Sequence, residues 1–220
     1  MRNWISKPKY KMNDGDEESN NSQLPPIYIN TANSQDQQPQ MPGIAVVGNR
    51  IQFYSDIYDE SALMLNKVLL ELDIQLQNTK NALGDDTVNP IIHLHLNTGG
   101  GSIYAAFAII DTIRNLKASV YTYVEGYCAS AGTLISSIGK KRYIGTYSQM
   151  LIHQLSGDMY GKFSEMEDQM FNSTALMKTL KAYYKKHTKL PMKTLDELLS
   201  KDISLTAEQC LQYGLVDEIR

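Results

Sequence analysis

The chain has few cysteines, no long hydrophobic run and no excess of basic residues. Its two cysteines, Cys128 and Cys210, match neither a disulfide framework nor the spacing of a zinc or redox motif. No run of about 18 apolar residues occurs, which predicts that no helix spans a membrane. The chain has 21 Lys and Arg residues and 24 Asp and Glu residues, so its net charge is −3. This charge balance predicts no nucleic-acid partner.

The apolar residues suffice for one domain. The chain has 220 residues and a mass of 24.8 kDa, and 42% of its residues are hydrophobic. This allows one sizeable core, although the length is too short for two full-sized domains. The first residues lack the apolar stretch of a signal peptide. With the low cysteine count, these features predict a soluble, cytoplasmic protein.

The N-terminal part of the chain differs in composition from the rest. Residues 13–40 are mainly Asp, Glu, Asn, Ser, Gln and Pro, with one short apolar patch at 27–29. Such a segment buries too little apolar surface to offset the entropy of ordering it. We therefore interpret residues 1–40 as a flexible polar segment, either a regulatory or processed leader or a solvated tail. Residues 41–220 form the predicted folded domain.

Strand and helix patterns alternate through the folded domain, and this alternation predicts the α/β class with right-handed βαβ units. The predicted elements are strands at 44–47 and 51–54, a helix at 60–80, a strand at 91–96, a helix at 102–116, a strand at 118–124, a helix at 129–138, strands at 142–144 and 150–152, and helices at 162–187, 191–199 and 207–213.

The helix predicted at 162–187 is long for a single domain. Acidic residues stand near its start and Lys185, Lys186 and His187 at its end, which complements the helix dipole. Its apolar positions keep helical spacing along the whole length. We expect part of this helix to pack on a neighbouring subunit.

Two glycine-rich turns each lie between a predicted strand and a predicted helix. The first, at 97–102, contains Gly99, Gly100 and Gly101. Successive glycines let backbone N–H groups approach a ligand, which suits an anion or a developing oxyanion. Neither the GxGxxG spacing nor the P-loop register is present, so we expect no ATP at this loop.

The second turn, at 126–132, contains Ser130 between small residues. A serine in a strand-to-helix turn can present its hydroxyl at the mouth of a sheet. Cap preferences alone favour a second interpretation, in which Ser130 is a helix N-cap. Cys128 has no charged neighbour in sequence, and we interpret it as a small buried filler.

A serine nucleophile needs a base, and the chain offers four histidines. His153 follows the apolar strand at 150–152 and leads into a polar loop, so it should emerge at a strand tip. His93 and His95 alternate along a buried strand, which indicates hydrogen-bonded core or wall residues. An HxH pair without a third ligand is weak evidence for a zinc site. His187 stands among lysines at a helix end and is interpreted as a surface residue. Sequence spacing does not select the acid that would orient His153.

Four segments form an ordered set from residue 97 onward. They are the glycine loop 97–101 with the helix behind it, the turn 126–132 with Ser130, the strand 150–154 with His153, and the stretch 202–217. Together they resemble the proteolytic subunit of the Clp protease family, a self-compartmentalising serine peptidase. The resemblance covers roughly residues 44–220.

The resemblance implies a Ser-His-Asp triad and an oxyanion hole. Ser130 would be the nucleophile, His153 the general base and Asp202 the group that orients the imidazole. The N–H groups of Gly101 and Ala131 would hold the oxyanion. A triad is defined by geometry, so the chain order Ser, His, Asp is no obstacle. This chemistry calls for no metal and no cofactor.

The resemblance also implies an architecture and partners. The fold would be the ββα-spiral shared by Clp proteolytic subunits (ClpP) and crotonases, with a long inter-ring helix at 162–187. Two stacked heptameric rings of this chain would enclose the sites. The substrates would be peptides and proteins, and a separate AAA+ ATPase would unfold the proteins. Neither a membrane nor a nucleic acid is expected as a partner.

The sequence departs from the family pattern at three places. Thr98-Gly99 replaces the usual Ser-Pro, Leu155 follows His153-Gln154 in place of proline, and no chaperone-facing segment is recognisable in residues 1–43. Other functions therefore stay open: a phage-type head maturation protease that needs no unfoldase, a non-catalytic ring subunit, and a crotonase-type acyl-CoA enzyme.

Overall fold

The predicted alternation of strands and helices is confirmed, and the fold is of the α/β class. The computed structural model describes residues 43–84, 87 and 89–220, so the predicted flexible segment 1–40 lies outside the described residues. The elements are β1 (Ile44–Val47), β2 (Arg50–Phe53), α1 (Asp59–Leu83), β3 (Ile91–Thr98), α2 (Ile103–Asn115), β4 (Ser119–Ala129), α3 (Ala131–Ser137), β5 (Lys141–Ile144), β6 (Gln149–Leu151), α4 (Phe163–His187), α5 (Met192–Leu199), β7 (Ser204–Leu205), α6 (Ala207–Gln212) and β8 (Glu218–Ile219).

The strands form one sheet in the order β1-β2-β3-β4-β5-β8, with β6 and β7 beside this path. Strands β1 and β2 are an antiparallel hairpin, whereas β2, β3, β4, β5 and β8 run parallel. Such parallel neighbours need crossovers, which helices α1 and α2 supply. Strand β6 pairs parallel with β4 and antiparallel with β7.

Strand β4 changes partner along its length. Its residues 121–124 pair with β5, and its residues 127–129 pair with β6. The sequence-based boundary between strand and helix in this region is therefore wrong. The strand continues through Ala129 because β6 supplies backbone partners there, and α3 begins only at Ala131. This extension carries β4 up to the turn that contains Ser130.

The core is one hydrophobic cluster contributed by the sheet and the helices. Fully buried side chains include Phe53 on β2, Leu94 on β3, Leu65 on α1, Ile109 on α2 and Leu134 on α3. Burial of such side chains provides the main free energy of folding. The core therefore fixes the ends of β3 and β4, where both glycine-rich turns begin.

Helix α4 matches the predicted long helix and spans 25 residues. The apolar pattern faces the core only in its second half, where Leu180 and Tyr184 are buried. In the first half, Phe163, Met170 and Phe171 expose 73%, 57% and 75% of their surface. The helical spacing of apolar residues therefore corresponds to a buried face only in the second half of α4, and the exposed apolar side chains lie in the first half.

Arg142 joins the C-terminal part of the chain to β5. Its guanidinium donates to the carbonyl oxygens of His187 and Gly214, at 2.8 and 2.9 Å, and to both carboxylate oxygens of Asp217. Hydrogen bonds from the Arg142 side chain hold the pKa of Asp217 below its ordinary value. Removal of the guanidinium would leave two carbonyl groups and one carboxylate without these donors.

We therefore expect Arg142→Ala to destabilise the chain by about 2–3 kcal/mol, which lowers Tm by about 5–10 °C in thermal unfolding. The difference from the unaltered chain should shrink below about pH 4, because a carboxylate with a lowered folded-state pKa loses its stabilising effect as it becomes protonated. Lys67→Ala is the control, because Lys67 makes an exposed ion pair with Glu71 and should cost less than about 0.5 kcal/mol. Equal losses from both changes would contradict the expectation.

Candidate active site

A cleft of about 840 Å³ opens where β3, β4 and β6 end. One side is formed by Gly101 and the start of α2, and the floor is formed by Ser130 and Ala131. The opposite side consists of His153, the segment after it, and α4 from Gln169 to Tyr184. The cleft therefore receives residues from both glycine-rich turns and from the end of β6, and its volume is typical of small-molecule and peptide sites.

Ser130 occupies the turn between β4 and α3 in a strained backbone conformation. With φ 54° and ψ −126°, it is the one non-glycine residue with positive φ among the described residues. Such strain costs on the order of 1–3 kcal/mol and persists only where neighbouring groups hold it. Ser130 stands at the N-cap position of α3, but its side chain makes no capping hydrogen bond. The interpretation of its hydroxyl as a helix cap is therefore wrong.

The space around Ser130 depends on the other glycine-rich turn. A Cβ added to Gly100 would lie 2.6 Å from the Cβ of Ser130, which is closer than carbon atoms approach. Gly100 has φ 98°, a region that side-chain-bearing residues rarely adopt. The loop at 97–102 therefore needs glycine here both for its own turn and for contact with the Ser130 turn.

His153 and Asp202 meet because β6 and β7 pair. The antiparallel register places Leu151 opposite Ser204, so two residues beyond each strand end His153 stands opposite Asp202. The His153 Nδ1 lies 3.2 Å from the Asp202 Oδ1. The side chain of His153 is 26% exposed and that of Asp202 is 79% exposed. The pair thus lies at the rim of the cleft, with the imidazole turned into it.

Two backbone N–H groups beside Ser130 are available to a ligand. Among the described residues, neither the N–H of Gly101 nor that of Ala131 has a hydrogen-bond acceptor, and both residues line the cleft. The Gly101 backbone is held on its other side by Ile57, whose carbonyl oxygen accepts the N–H of Ser102 at 2.7 Å. Free donors at this place can stabilise negative charge on a carbonyl oxygen.

Ser130 and His153 line the same cleft without a hydrogen bond between them. Among the described residues, the hydroxyl of Ser130 has no hydrogen-bond partner. Hydrogen bonds of catalytic groups are often long when no substrate is bound. The structure therefore brings together His153 with Asp202, and Ser130 with the two free N–H groups, around one cleft.

The remaining histidines and the cysteines lie outside this cleft. His93 Nδ1 lies 2.8 Å from the Tyr123 hydroxyl and His95 Nδ1 lies 2.6 Å from the Glu125 carboxylate, so their interpretation as hydrogen-bonded wall residues is confirmed. Burial lowers the pKa of His95 despite the opposing effect of Glu125. Cys128 is fully buried, and burial raises the pKa of its thiol, which confirms the filler interpretation.

Sequence reasoning missed residues that form the cleft around Ser130. The hydroxyl of Tyr184 on α4 lies 2.5 Å from Oγ1 of Thr133, which in turn contacts the carbonyl of Ser130. Met177 and Leu180 contribute an apolar wall from the same helix. The only sequence signal was the helical spacing of apolar residues in α4, which predicts a buried face but not what that face contacts.

The described residues contain no group of three His, Cys, Asp or Glu side chains that could hold a metal ion. None of the helices that the structure describes is both long and apolar enough to cross a membrane.

A serine on a strained strand-to-helix turn, free N–H groups beside it and a histidine–carboxylate pair across the cleft are features of serine hydrolases. Comparison with known proteins makes the class specific. A family model described as Clp protease matches residues 46–220. The chain therefore belongs to the Clp protease family.

Individual relatives agree with this assignment. An ATP-dependent Clp protease proteolytic subunit of Deinococcus radiodurans is 36% identical over 138 residues, which cover 61% of this chain and 68% of the relative. Subunit 2 of Chlamydia muridarum and subunit 1 of Chlamydia felis are each 33% identical over 175 residues, covering 77% of this chain and 85% of each relative. The expected family and the expected serine peptidase function are thus confirmed.

Proposed function

We propose that this serine peptidase cleaves peptide bonds through a triad of Ser130, His153 and Asp202. The observation that carries the proposal is the 3.2 Å contact of His153 Nδ1 with Asp202 at the rim of the cleft whose floor contains Ser130. With Nδ1–H donated to the carboxylate, the other ring nitrogen is free to accept a proton. This is the tautomer that a general base for a serine hydroxyl requires.

The proposed reaction has two stages. In the first, Oγ of Ser130 attacks the peptide carbonyl carbon while His153 takes the hydroxyl proton. The N–H groups of Gly101 and Ala131 bind the developing oxyanion. His153 then protonates the leaving amine as the C–N bond breaks, which leaves an acyl-enzyme. In the second stage, His153 removes a proton from water as the water oxygen attacks the ester carbon. The bond between that carbon and Oγ of Ser130 then breaks, His153 returns the proton to Oγ, and the peptide fragment leaves with a new carboxyl group.

The strained turn supports Ser130 as the nucleophile. A hydroxyl that capped α3 would be occupied, whereas the Ser130 hydroxyl has no partner among the described residues. Small movements of the His153 ring on substrate binding would complete the contact between the two side chains. The glycine loop carries two hydroxyl-bearing residues, and both hydroxyls are engaged. Ser102 accepts the N–H of Ala105 and caps α2, and Thr98 accepts the N–H of Gly100, so neither competes with Ser130.

The proposed assembly is a pair of stacked seven-membered rings of ββα-spiral subunits joined by α4. The exposed apolar side chains of Phe163, Met170 and Phe171 support a contact of α4 with another copy, since exposed apolar clusters mark interfaces. The relatives are named ATP-dependent proteolytic subunits. We extend that dependence to this chain, with unfolding supplied by a separate AAA+ ATPase and no cofactor bound by the chain itself.

Labelling by a fluorophosphonate probe tests the proposal. The assembled chain should be labelled at Ser130, as mapped by peptide mass spectrometry, and should hydrolyse a fluorogenic peptide. Ser130→Ala should lose both the label and the hydrolysis. Ser156→Ala is the matched control, because Ser156 is an exposed serine that lines the same cleft, and it should be labelled at the unaltered rate.

Each alternative function has its own outcome in this test. An assembled ring that is not labelled and does not hydrolyse peptides would support a non-catalytic ring subunit. Full activity of Ser130→Ala on an acyl-CoA would support a crotonase-type enzyme and overturn the proposal. Cleavage of folded protein without any ATPase would favour a maturation-type protease with the same triad.

A further inference from the structure

The backbone strain at Ser130 is held from both sides of the residue. On one side, its N–H donates to the carbonyl of Leu151 on β6 at 2.8 Å. On the other, its carbonyl oxygen accepts two hydrogen bonds from Thr133, one from the backbone N–H at 3.0 Å and one from Oγ1 at 2.6 Å. A strained backbone conformation persists only when hydrogen bonds hold both the N–H and the carbonyl group of the residue. If either group were released, the backbone could relax to a less strained conformation.

The hydroxyl of Thr133 is itself oriented by a residue far along the chain. Oγ1 of Thr133 lies 2.5 Å from the hydroxyl oxygen of Tyr184. Because the single hydrogen of Thr133 is donated to the Ser130 carbonyl, the Tyr184 hydroxyl must be the donor in the second bond. The result is a directed relay that runs from Tyr184 through Thr133 to Ser130.

The relay is dry. Thr133 is 0% exposed and Tyr184 is 1% exposed, so water does not compete for either hydroxyl. Burial raises the pKa of Tyr184, which keeps its hydroxyl protonated and able to donate. If a buried hydroxyl loses one hydrogen-bond partner, no water molecule can take the place of that partner. Each of the two hydrogen bonds in the relay therefore depends on the other.

We propose that Tyr184 and Thr133 are positioning residues for the reaction, and that the relay holds the carbonyl of Ser130 in place. The inference rests on the proposed role of Ser130 as nucleophile. When the relay is intact, the Ser130 hydroxyl and the N–H of Ala131 point into the cleft together. When it is broken, the turn samples relaxed conformations in which the hydroxyl and the N–H no longer meet one carbonyl group.

The chain offers a matched control on the same helix. The hydroxyl of Tyr183, adjacent to Tyr184, donates to the carbonyl of Leu134 in α3 at 2.8 Å. Loss of that hydroxyl removes a hydrogen bond between the same two helices but leaves the Ser130 turn untouched. Tyr183→Phe and Tyr184→Phe therefore separate a general loss of packing from a specific effect on Ser130.

The test measures kcat and KM on a fluorogenic peptide, the rate of fluorophosphonate labelling, and Tm, all on the assembled full chain. Tyr184→Phe should lower kcat and the labelling rate about three- to tenfold, the equivalent of one hydrogen bond. KM should stay within about twofold, since the substrate contacts are kept. Tyr183→Phe and Tyr184→Phe should lower Tm by similar amounts, but Tyr183→Phe should not show this loss of kcat.

Thr133 supplies the second half of the test. Thr133→Val should lower kcat at least as much as Tyr184→Phe, and Thr133→Ser should recover most of that loss because it restores the hydroxyl. Combining Tyr184→Phe with Thr133→Val should cost no more than Thr133→Val alone, because Tyr184 acts through Thr133.

Two results would overturn the relay. One is a Tyr184→Phe variant with unaltered kcat and labelling rate, and the other is an equal loss of kcat in Tyr183→Phe. Neither would touch the proposed nucleophile, which fails if the assembled unaltered chain is not labelled or if Ser130→Ala keeps its labelling or its activity. The two proposals are thus distinguished by different variants.

Discussion

His153→Ala is expected to lower kcat/KM for a short fluorogenic peptide by on the order of 10⁴, while KM changes little. The imidazole is the group proposed to take the proton of the Ser130 hydroxyl as it attacks, and this change removes it. Because members of a triad act as a unit, the proposed roles predict that most of the advantage of Ser130 is lost with His153. The residual rate would come from the N–H groups of Gly101 and Ala131.

The control for this prediction is the next residue in the chain. Gln154 is exposed and lines the same cleft, so Gln154→Ala should stay within about threefold of the unaltered rate, as is usual for surface changes. Asp202→Asn should cost less than His153→Ala, since Asp202 is 79% exposed and only orients the ring. A His153→Ala variant that keeps more than about a tenth of the activity would exclude His153 as the base.

Gly101→Ala is expected to reduce kcat by about 10²–10³, the typical cost of one misplaced oxyanion donor. Gly101 has φ 137°, and an added Cβ would lie 2.2 Å from the carbonyl oxygen of Ile57. Neither the backbone angle nor the contact can be kept with alanine, so the loop must move. That movement displaces the N–H proposed to bind the oxyanion.

Gly99→Ala is the control on the same loop. Gly99 does not have a positive φ. A Cβ added to Gly99 would lie 3.1 Å from the carboxylate of Asp56, its nearest neighbour, and this side chain can rotate away. We expect a loss of less than about tenfold from this change. Circular dichroism and Tm should be measured beside kcat, because a Gly101→Ala chain that is folded, labelled normally and fully active would remove Gly101 from the oxyanion site.

The parts of the candidate site that could be predicted from sequence are those with local signals. Ser130 stands in a glycine-rich turn after a strand, and His153 ends an apolar strand. Strand and helix periods are sufficient to place both near the carboxyl ends of the sheet. The same periods located the helices to within a few residues.

Asp202 could not be located by periodicity. It meets His153 through the pairing of β6 with β7, and β7 has only two residues. A strand of two residues shows no alternation of apolar and polar side chains. Many acidic residues of the chain are equally suitable, by their spacing in sequence, as the partner of His153. Only the resemblance to the Clp protease family indicates Asp202.

The contact of Tyr184 with Thr133 is beyond sequence reasoning for a different reason. The two residues are 51 positions apart, and nothing in the apolar pattern of α4 distinguishes a tyrosine that donates a hydrogen bond from one that only packs. The extension of β4 through Ala129 was missed because Gly126 interrupts the strand pattern. In both cases the deciding partner lies in a distant element.

Strand β6 has a consequence for how this enzyme can diversify. Its Leu151 carbonyl fixes the backbone of Ser130, and the same strand delivers His153 two positions later. The loop that follows, up to the start of α4, contains no helix or strand and forms one side of the cleft. Insertions or replacements in that loop can therefore change which peptides the cleft admits while the spacing of Ser130 and His153 stays the same.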